Sequence, residues 1–188
     1  MQAREIEERL EFLKAAEGLK RVVRSAKLSD GAPESSAAHS WRLALWVLVF
    51  RDQMARLDVT RLLELAIVHD LGEAISGDIP AIADVDKAQK EAQERADLEA
   101  LYAPLPVGLR QQFWALWEEY EAAETEEAKW IKGLDKLETM VQHNQGSNDP
   151  DFDYVFNLTY GLEHTDRVEL LAQIRVLIDA ETAAHGGR

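Results

Sequence analysis

The stretch that decides the fold is Leu65-Ala66-Ile67-Val68-His69-Asp70-Leu71-Gly72-Glu73. It places an imidazole and a carboxylate, His69 and Asp70, side by side among apolar residues of the kind found in protein cores. Burying an ionised carboxylate is costly unless it gains a strong partner, and a metal ion is one such partner. The stretch therefore predicts a buried helix that carries a metal-binding doublet.

Two further candidate ligands lie at a distance from this doublet. His39 stands in Ser35-Ser36-Ala37-Ala38-His39-Ser40, and Asp135 stands in Lys132-Gly133-Leu134-Asp135-Lys136-Leu137-Glu138. Two imidazoles and two carboxylates form a donor set that suits a divalent transition metal. Four ligands do not fill an octahedral shell, and a water molecule bound in a remaining position is a nucleophile near neutral pH. The residues thus indicate metal-assisted hydrolysis.

The composition restricts the class of protein. The chain has 188 residues, of which 46% are hydrophobic, and this fits one compact domain spanning residues 1–188. Because it contains no cysteine, any metal must be bound by His, Asp and Glu. No apolar run approaches the ~20 residues that cross a membrane. Residues 1–10 carry glutamates where a signal peptide has an apolar segment. We therefore expect a cytoplasmic protein with no membrane partner.

The formal net charge of −14 bears on the ligand. A field of that sign repels polyanions, so binding to extended nucleic acid is not expected. A small phosphorylated metabolite is still compatible, because a metal ion and one or two arginines can outweigh a distributed and screened surface charge.

Apolar residues recur at helical spacing along almost the whole chain, and no segment sustains the two-residue alternation of a strand. The pattern predicts helices over about 6–19, 37–56, 59–71, 84–102, 109–121, 125–144 and 165–184. Ser35 or Ser36 is the expected cap of the second helix, and Asp58 or Thr60 of the third. Residues 24–36 and 145–153 are predicted to be loops, and 185–188 a frayed tail. The expected fold class is all-α, a single bundle of about six to eight helices.

Several polar residues permit more than one interpretation. If the third helix continues, Glu73 lies one turn beyond the doublet on the same face, where a carboxylate can position or deprotonate an attacking water. A turn residue is an equally good interpretation of Glu73, and Asp78 is typical of a turn. The remaining histidines lie in polar surroundings and are predicted to be surface residues: His143, His164 and His185.

Four stretches together resemble the HD-domain phosphohydrolases, which are named for their His-Asp doublet. They are residues 33–40, 68–80, 117–129 and 134–138. The similarity is strongest to the small single-domain branch that contains bacterial 5′-deoxynucleotidases and their eukaryotic relatives. The doublet alone is a weak signal, whereas its ordered combination with H-D-x-x-E, G-D-x-P and a late L-D-K is specific.

The resemblance implies an all-α HD fold that holds one divalent metal. The implied ligands are His39, His69, Asp70 and Asp135. In that branch, the positions that match Glu73 and Asp78 also line the active site. An arginine upstream of the first histidine contacts the substrate phosphate, and its match by spacing is Arg24. Family members often carry an aromatic residue near that arginine, where this chain has Ser25-Ala26-Lys27. The resemblance also implies a homodimer.

Together these features predict a metal-dependent phosphomonoesterase for nucleoside 5′-monophosphates, in particular the 2′-deoxy forms. The metal would be Mn, Co, Fe, Ni, Zn or Mg, since this donor set does not select among them. Glu73 would orient the water, and Arg24 would balance the charge of the phosphate. Two alternatives remain open at this level. One is an HD-type phosphodiesterase or pyrophosphohydrolase of signalling nucleotides, and the other is a non-catalytic HD-like domain that binds a nucleotide or a partner.

Overall fold

Helices form most of the protein in a computed structural model that describes residues 2–80 and 87–186. In chain order the elements are α1 (Ala3–Ala15), β1 (Val23–Lys27), β2 (Pro33–Ser35), α2 (Ser36–Val49), α3 (Val59–Val68), α4 (Glu73–Ser76), α5 (Lys87–Tyr102), α6 (Val107–Ala122), α7 (Glu126–Gln145), α8 (Tyr154–Asn157), α9 (Leu162–Thr165) and α10 (Glu169–Gly186). Two 3-10 turns, 16–20 and 51–54, extend α1 and α2. The predicted helical bundle is confirmed, and α4, α8 and α9 are single turns that the periodicity did not predict. No helix of the described ranges is long and apolar enough to span a membrane.

Side-chain caps explain where three of the long helices begin. Ser35 Oγ accepts a hydrogen bond from the backbone of the first turn of α2, Asp58 does so for α3, and Thr125 for α7. Each oxygen satisfies an amide that has no partner within its helix. Ser35 and Asp58 are therefore the caps, rather than Ser36 and Thr60. The predicted start of α5, at about residue 84, lies outside the described residues.

The longest helix, α7, runs through the middle of the bundle. It packs against α2, α3, α6 and α10, and its large apolar side chains are fully buried at Ile131, Leu134, Leu137 and Met140. Burial of such side chains supplies the main driving force for folding. Because α7 is enclosed by its neighbours, its polar residues are also forced into the interior, where they need partners.

The prediction that 24–36 is a loop is wrong, because this stretch contains an antiparallel hairpin of β1 and β2. Its turn uses Gly31 at φ 84°, a left-handed conformation that favours glycine. Strands of five and three residues are too short to show an alternating pattern. The hairpin is fastened to α7 by the side chain of Gln142, whose Nε2 donates to the carbonyl of Lys27 at 2.7 Å. Docking of the hairpin therefore brings β1 onto the central helix.

The third helix ends sooner than predicted, and the last one ends later. Helix α3 stops at Val68, and the backbone then turns, with the amide of Glu73 donating to the carbonyl of Asp70. Glu73 thus begins the separate helix α4 instead of continuing α3. At the other end of the chain, α10 continues to Gly186, so His185 is helical and stacks on Tyr154 instead of lying in a frayed tail. Residues 187–188 lie outside the described ranges.

Candidate active site

Three donor atoms converge where α2 meets the end of α3. His39 Nε2 lies 3.4 Å from His69 Nε2. Asp70 Oδ2 lies 3.2 Å from His69 Nε2 and 3.8 Å from His39 Nε2. Donor atoms that share one ion at about 2.1 Å stand roughly 3–3.5 Å apart. The spacing of these three atoms fits a single metal ion.

Asp135 of α7 approaches the same histidine from another direction. Its Oδ1 lies 3.0 Å from His39 Nε2. Its Oδ2 accepts hydrogen bonds from the Tyr120 hydroxyl at 2.7 Å and from Lys136 Nζ at 2.8 Å. The structure therefore brings all four sequence-predicted ligands together around the Nε2 edge of His39.

The other ring nitrogen of His39 contacts a buried glutamate. Its Nδ1 pairs with Glu138 Oε2, and Arg42 Nε donates to the second carboxylate oxygen at 2.5 Å. A carboxylate that accepts the Nδ1 proton leaves Nε2 free to bind a metal, and it also fixes the orientation of the ring. His39, Glu138 and Glu34 form a second group of possible ligands. Neither glutamate lines the cavity described below, and both are already paired with arginines, so the Nε2 side is the better candidate metal position.

The charges around His39 favour a cation. Burial and Arg24 lower the pKa of His39, but contacts with Glu138 and Asp135 outweigh them and raise it to about 10. Burial works against ionisation of Asp70 and Asp135, yet the histidines, Arg24 and Lys136 hold the pKa of both carboxyls below the usual range. A buried cluster that binds a proton this tightly has the charge and the donors to bind a divalent ion in its place. The residues therefore fit the metal that the sequence predicted.

Arg24 lies beside these donors. Its Nη1 is 3.5 Å from Asp70 Oδ2, its Nη2 donates to Thr139 Oγ1 at 3.1 Å, and its Nε is 3.5 Å from Glu34 Oε2. The side chain is only 13% exposed, whereas that of Arg21 is 72% exposed and pairs with Glu17. Of the two arginines that precede His39 in this region, the hairpin places Arg24 at the site.

Glu73 lines the cavity described below, as Asp70 does. Ser36 Oγ donates to Glu73 Oε2 at 2.6 Å. Burial, together with the negative charges of Asp70 and Asp78, raises the pKa of Glu73 to about 9. A bound cation would reverse that effect by favouring the carboxylate. Asp78 follows the turn at Gly77 and lines the same cavity, so both carboxyls singled out by the resemblance lie near the candidate metal ligands.

The donors open into a cavity of about 650 Å³. Its lining includes most of the residues named above and a group from α7, α8 and the adjoining loops: His143, Phe152, Phe156, Asn157 and Tyr160. The prediction that His143 lies on the surface is wrong, since it is 7% exposed and pairs with Asn157. His164 and His185 are only half-buried and do not line the cavity.

The sequence reasoning missed several residues that support the site. Tyr120, Lys136 and Glu138 bond directly to candidate ligands. The position of Glu138, three residues after Asp135 in a helix, offered one signal, because residues three and four apart share a face. Nothing in the local sequence around Tyr120 indicated that its hydroxyl would reach a residue of another helix.

Comparison with known proteins establishes the family. A family model described as an HD domain matches residues 16–175. The chain belongs to the HD-domain family. Among relatives of this HD-domain protein are the 5′-deoxynucleotidase HDDC2 of Mus musculus and hdd1 of Schizosaccharomyces pombe. The mouse enzyme is 38% identical over 138 residues, or 72% of this chain and 68% of the relative. The yeast enzyme is 34% identical over 137 residues, or 70% and 68%.

Solved structures agree with this assignment. A predicted metal-dependent phosphohydrolase from Magnetospirillum magnetotacticum superposes with a TM-score of 0.81 at 26% identity, covering 97% of this chain and 94% of the other. The PH0347 protein of Pyrococcus horikoshii gives a TM-score of 0.71, also at 26% identity, covering 93% and 98%. The HD family and the metal dependence of such relatives imply a divalent metal here as well, and the donor geometry is consistent with one.

Proposed function

We propose that this HD-domain protein is a metal-dependent phosphomonoesterase that hydrolyses nucleoside 5′-monophosphates of the 2′-deoxy series. One observation carries the proposal: a buried arginine, Arg24, lies beside a convergent set of nitrogen and oxygen donors at the end of a nucleotide-sized cavity. Donors for a metal and a fixed guanidinium on one side of a cavity are the elements needed to bind a phosphate dianion. The naming of its relatives as 5′-deoxynucleotidases supports the choice of substrate.

The proposed ligands of one divalent ion are His39, His69, Asp70 and Asp135. When bound, the ion supplies Lewis-acid polarisation of the phosphate and activation of the attacking water. Two carboxylate ligands cancel the charge of a divalent ion, so the phosphate needs further positive charge. Arg24 provides it, because a guanidinium is always charged and its planar fork matches two phosphate oxygens.

Glu73 and Asp78 are the proposed acid–base and orienting groups. Glu73 is held by Ser36 and lines the cavity next to Asp70, where its carboxylate can accept a proton from the attacking water or orient it. Asp78 contributes a second negative charge on the same side of the cavity. Both groups line the same cavity as Arg24.

A substrate screen tests this proposal. The chelator-treated protein would be supplied with Mn²⁺, Co²⁺, Fe²⁺, Ni²⁺, Zn²⁺ or Mg²⁺ and assayed for phosphate release from deoxynucleoside and ribonucleoside monophosphates. Phosphodiesters and pyrophosphate compounds would be assayed in parallel. We expect metal-dependent turnover of the monoesters, with the deoxy forms preferred. Preferential cleavage of diesters or pyrophosphates would replace the proposal with the signalling-nucleotide alternative, and absence of any turnover would favour a binding domain.

We also propose that the enzyme is a cytoplasmic homodimer. The dimer is supported by an exposed apolar stripe along α2, which includes Trp41 at 65% and Val49 at 64% exposure. Contiguous exposed apolar surface of this kind often marks an association site. Light scattering on the purified protein would measure the mass, and Trp41→Glu should shift it to that of a monomer. Cell fractionation would test the location.

A further inference from the structure

One face of α7 leads from the candidate metal ligands into the far end of the cavity. Asp135, Thr139 and His143 are spaced four residues apart, so they follow one side of the helix and all three line the cavity. At 1.5 Å per residue, Asp135 and His143 are about 12 Å apart along the helix axis. The distal half of the cavity therefore lies two helical turns from Asp135 and one turn from Thr139, to which Arg24 donates.

An aromatic wall closes this distal half. Phe156 and Tyr160 are stacked, with ring centroids 5.5 Å apart and an interplanar angle of 30°. Phe152 meets the ring of His143 edge-on at 4.8 Å. The wall begins next to the candidate metal ligands, because Lys136 lies 5.3 Å from the centre of the Tyr160 ring and also bonds to Asp135. The flat apolar surface of the aromatic wall thus extends to the end of the cavity that contains the candidate metal ligands.

A buried arginine fixes the backbone that carries the wall. Arg175 of α10 is 2% exposed, and it donates to the carbonyl of Tyr160 at 2.6 Å and to that of Asn157 at 2.8 Å. The Asn157 side chain in turn pairs with His143 Nδ1 at 3.0 Å. Burial lowers the pKa of His143 and so favours the neutral ring, and Nδ1 then carries the proton because the Asn157 Oδ1 beside it can only accept. His143 Nε2 is then the acceptor of a ring that lines the cavity.

Helices α5 and α6 contribute side chains of a different character to the cavity lining. Among the described residues, their charged members are Lys90, Glu91, Glu94 and Glu121. A flat uncharged ring gains nothing from contact with solvated carboxylates. The aromatic wall is the surface within the cavity that a heteroaromatic ring would bind.

We propose that Phe152, Phe156, Tyr160 and His143 form a nucleobase subsite. This inference rests on the proposed function, since it assumes that a phosphate occupies the other end of the cavity. The base stacks on the aromatic wall, and an N–H group on its edge donates to His143 Nε2. Every base has a π-face, so the subsite accepts all four bases but discriminates against a sugar phosphate that lacks one.

The test compares deoxynucleoside monophosphates with deoxyribose 5-phosphate, which has no base. For the wild type, we expect kcat/KM to be roughly tenfold or more higher for the nucleotides, as expected from the loss of one stacking contact. Phe156→Ala should lower kcat/KM for the nucleotides about tenfold more than for deoxyribose 5-phosphate, mainly through KM. Phe156→Leu keeps most of the side-chain volume but removes the π-face. It should also lower kcat/KM for the nucleotides more than for deoxyribose 5-phosphate.

Phe50→Ala is the matched control. Phe50 is also half-buried and stacked on an aromatic neighbour, Trp46, but it lies outside the cavity. Phe50→Ala should leave the ratio of kcat/KM for the nucleotides to kcat/KM for deoxyribose 5-phosphate unchanged. If both Phe156 variants lowered both substrate types equally, or if the wild type did not discriminate between them, the base subsite would be rejected.

A second measurement does not depend on turnover. Saturation-transfer NMR on chelator-treated protein with 2′-deoxyadenosine should show transfer to the base protons in the wild type and a strong reduction in Phe156→Leu. Equal signals in both would also reject the subsite. If none of the phosphates is hydrolysed but this difference is present, the phosphomonoesterase proposal fails while the nucleobase subsite stands.

Discussion

His39 has neighbouring polar groups at both ring nitrogens, and these constrain the orientation of its ring. It is fully buried, with Glu138 at Nδ1 and the candidate metal position at Nε2. Arg42 compensates the charge of Glu138, so the glutamate remains ionised inside the bundle, with its pKa lowered by His39 and Arg42 despite the opposing effect of burial. The side chains of α2 and α7 thus fix the ring so that a metal ion would replace the proton at Nε2 while the Nδ1 proton remains bonded to Glu138.

Glu138→Gln should weaken metal binding without removing a ligand. We expect the dissociation constant to rise about 10–100-fold, because the amide is a poorer acceptor for the Nδ1 proton. Calorimetric titration with Mn²⁺ would measure it. Glu126→Gln, on the exposed first turn of the same helix, is the control and should bind like the wild type. Unchanged affinity in Glu138→Gln would mean that the glutamate only stabilises the fold.

Glu73→Ala should separate catalysis from metal binding. If Glu73 orients or deprotonates the attacking water, kcat should fall by ~10²–10⁴-fold while metal content, measured by mass spectrometry of the purified protein, stays the same. We expect the metal to be retained because Glu73 is not one of the four candidate ligands. Loss of the metal together with activity would instead make Glu73 a ligand.

Arg24→Ala should reduce kcat/KM for a nucleoside monophosphate far more than Arg21→Ala. We expect a loss on the order of 2–4 kcal/mol, as for truncating one partner of a buried charged pair. Arg21 is a close control, because it lies three residues away but is exposed. Metal content should be unchanged in both variants. Similar small losses in both would leave phosphate binding without an assigned residue.

At the scale of elements, the short helix α4 depends on a close backbone contact with the 3-10 turn of 16–20. A Cβ atom added at Gly18 would lie 2.3 Å from the carbonyl oxygen of Ala74, which is part of α4. No side chain fits there unless the backbone moves. Because α4 begins with Glu73, this contact helps to set the position of a proposed catalytic residue.

Gly18→Ala should therefore destabilise the protein by about 1–3 kcal/mol and also lower kcat. Urea unfolding would measure the first effect and steady-state kinetics the second. Gly108→Ala is the control, since a Cβ atom at that position of α6 meets no other atom within 4 Å. Alanine there should be neutral or slightly stabilising. A stability loss in Gly18→Ala with normal kcat would show that α4 adjusts without moving Glu73.

The elements that could be predicted from the sequence are those determined by residues close together in the chain. Caps such as Ser35, Asp58 and Thr125 and the apolar spacing of α7 depend on residues within a few positions, so most long helices were predicted close to their actual limits. Helix α2 is an exception, because it ends at Val49 and not near residue 56. The hairpin was missed because strands of five and three residues are too short to show an alternating pattern. The burial of His143 was missed because its surroundings come from Phe152 and Asn157, which belong to a different segment.

At the scale of the whole molecule, the candidate ligands connect three helices that are distant in the sequence. A bound ion would join α2, the end of α3 and α7, and it would bind the folded state only. Such an ion stabilises by mass action, roughly 2.7 kcal/mol at a hundredfold excess over the dissociation constant. The bundle is thus expected to be more stable with metal than without.

Thermal unfolding should therefore show a higher Tm with Mn²⁺ than after chelation, and the increase should be absent in Asp135→Asn. It should also be smaller at pH 6 than at pH 8. The pKa of His39 is raised, so its proton competes more strongly with the metal as the pH falls. Differential scanning fluorimetry at both pH values would measure this. An increase of equal size in Asp135→Asn would place the stabilising ion elsewhere.

The separation of 99 residues between His39 and Glu138 also affects synthesis of the chain. At ~5–20 residues per second, a ribosome completes Glu138 roughly 5–20 s after His39. During that interval, His39 of α2 has been synthesised, but Glu138, which contacts its Nδ1, and Asp135, which lies beside its Nε2, have not. A nascent chain whose α7 has not yet left the ribosome therefore cannot assemble the four-ligand site. Premature metal capture by the ribosome-bound protein is thus limited to the incomplete set of His39, His69 and Asp70.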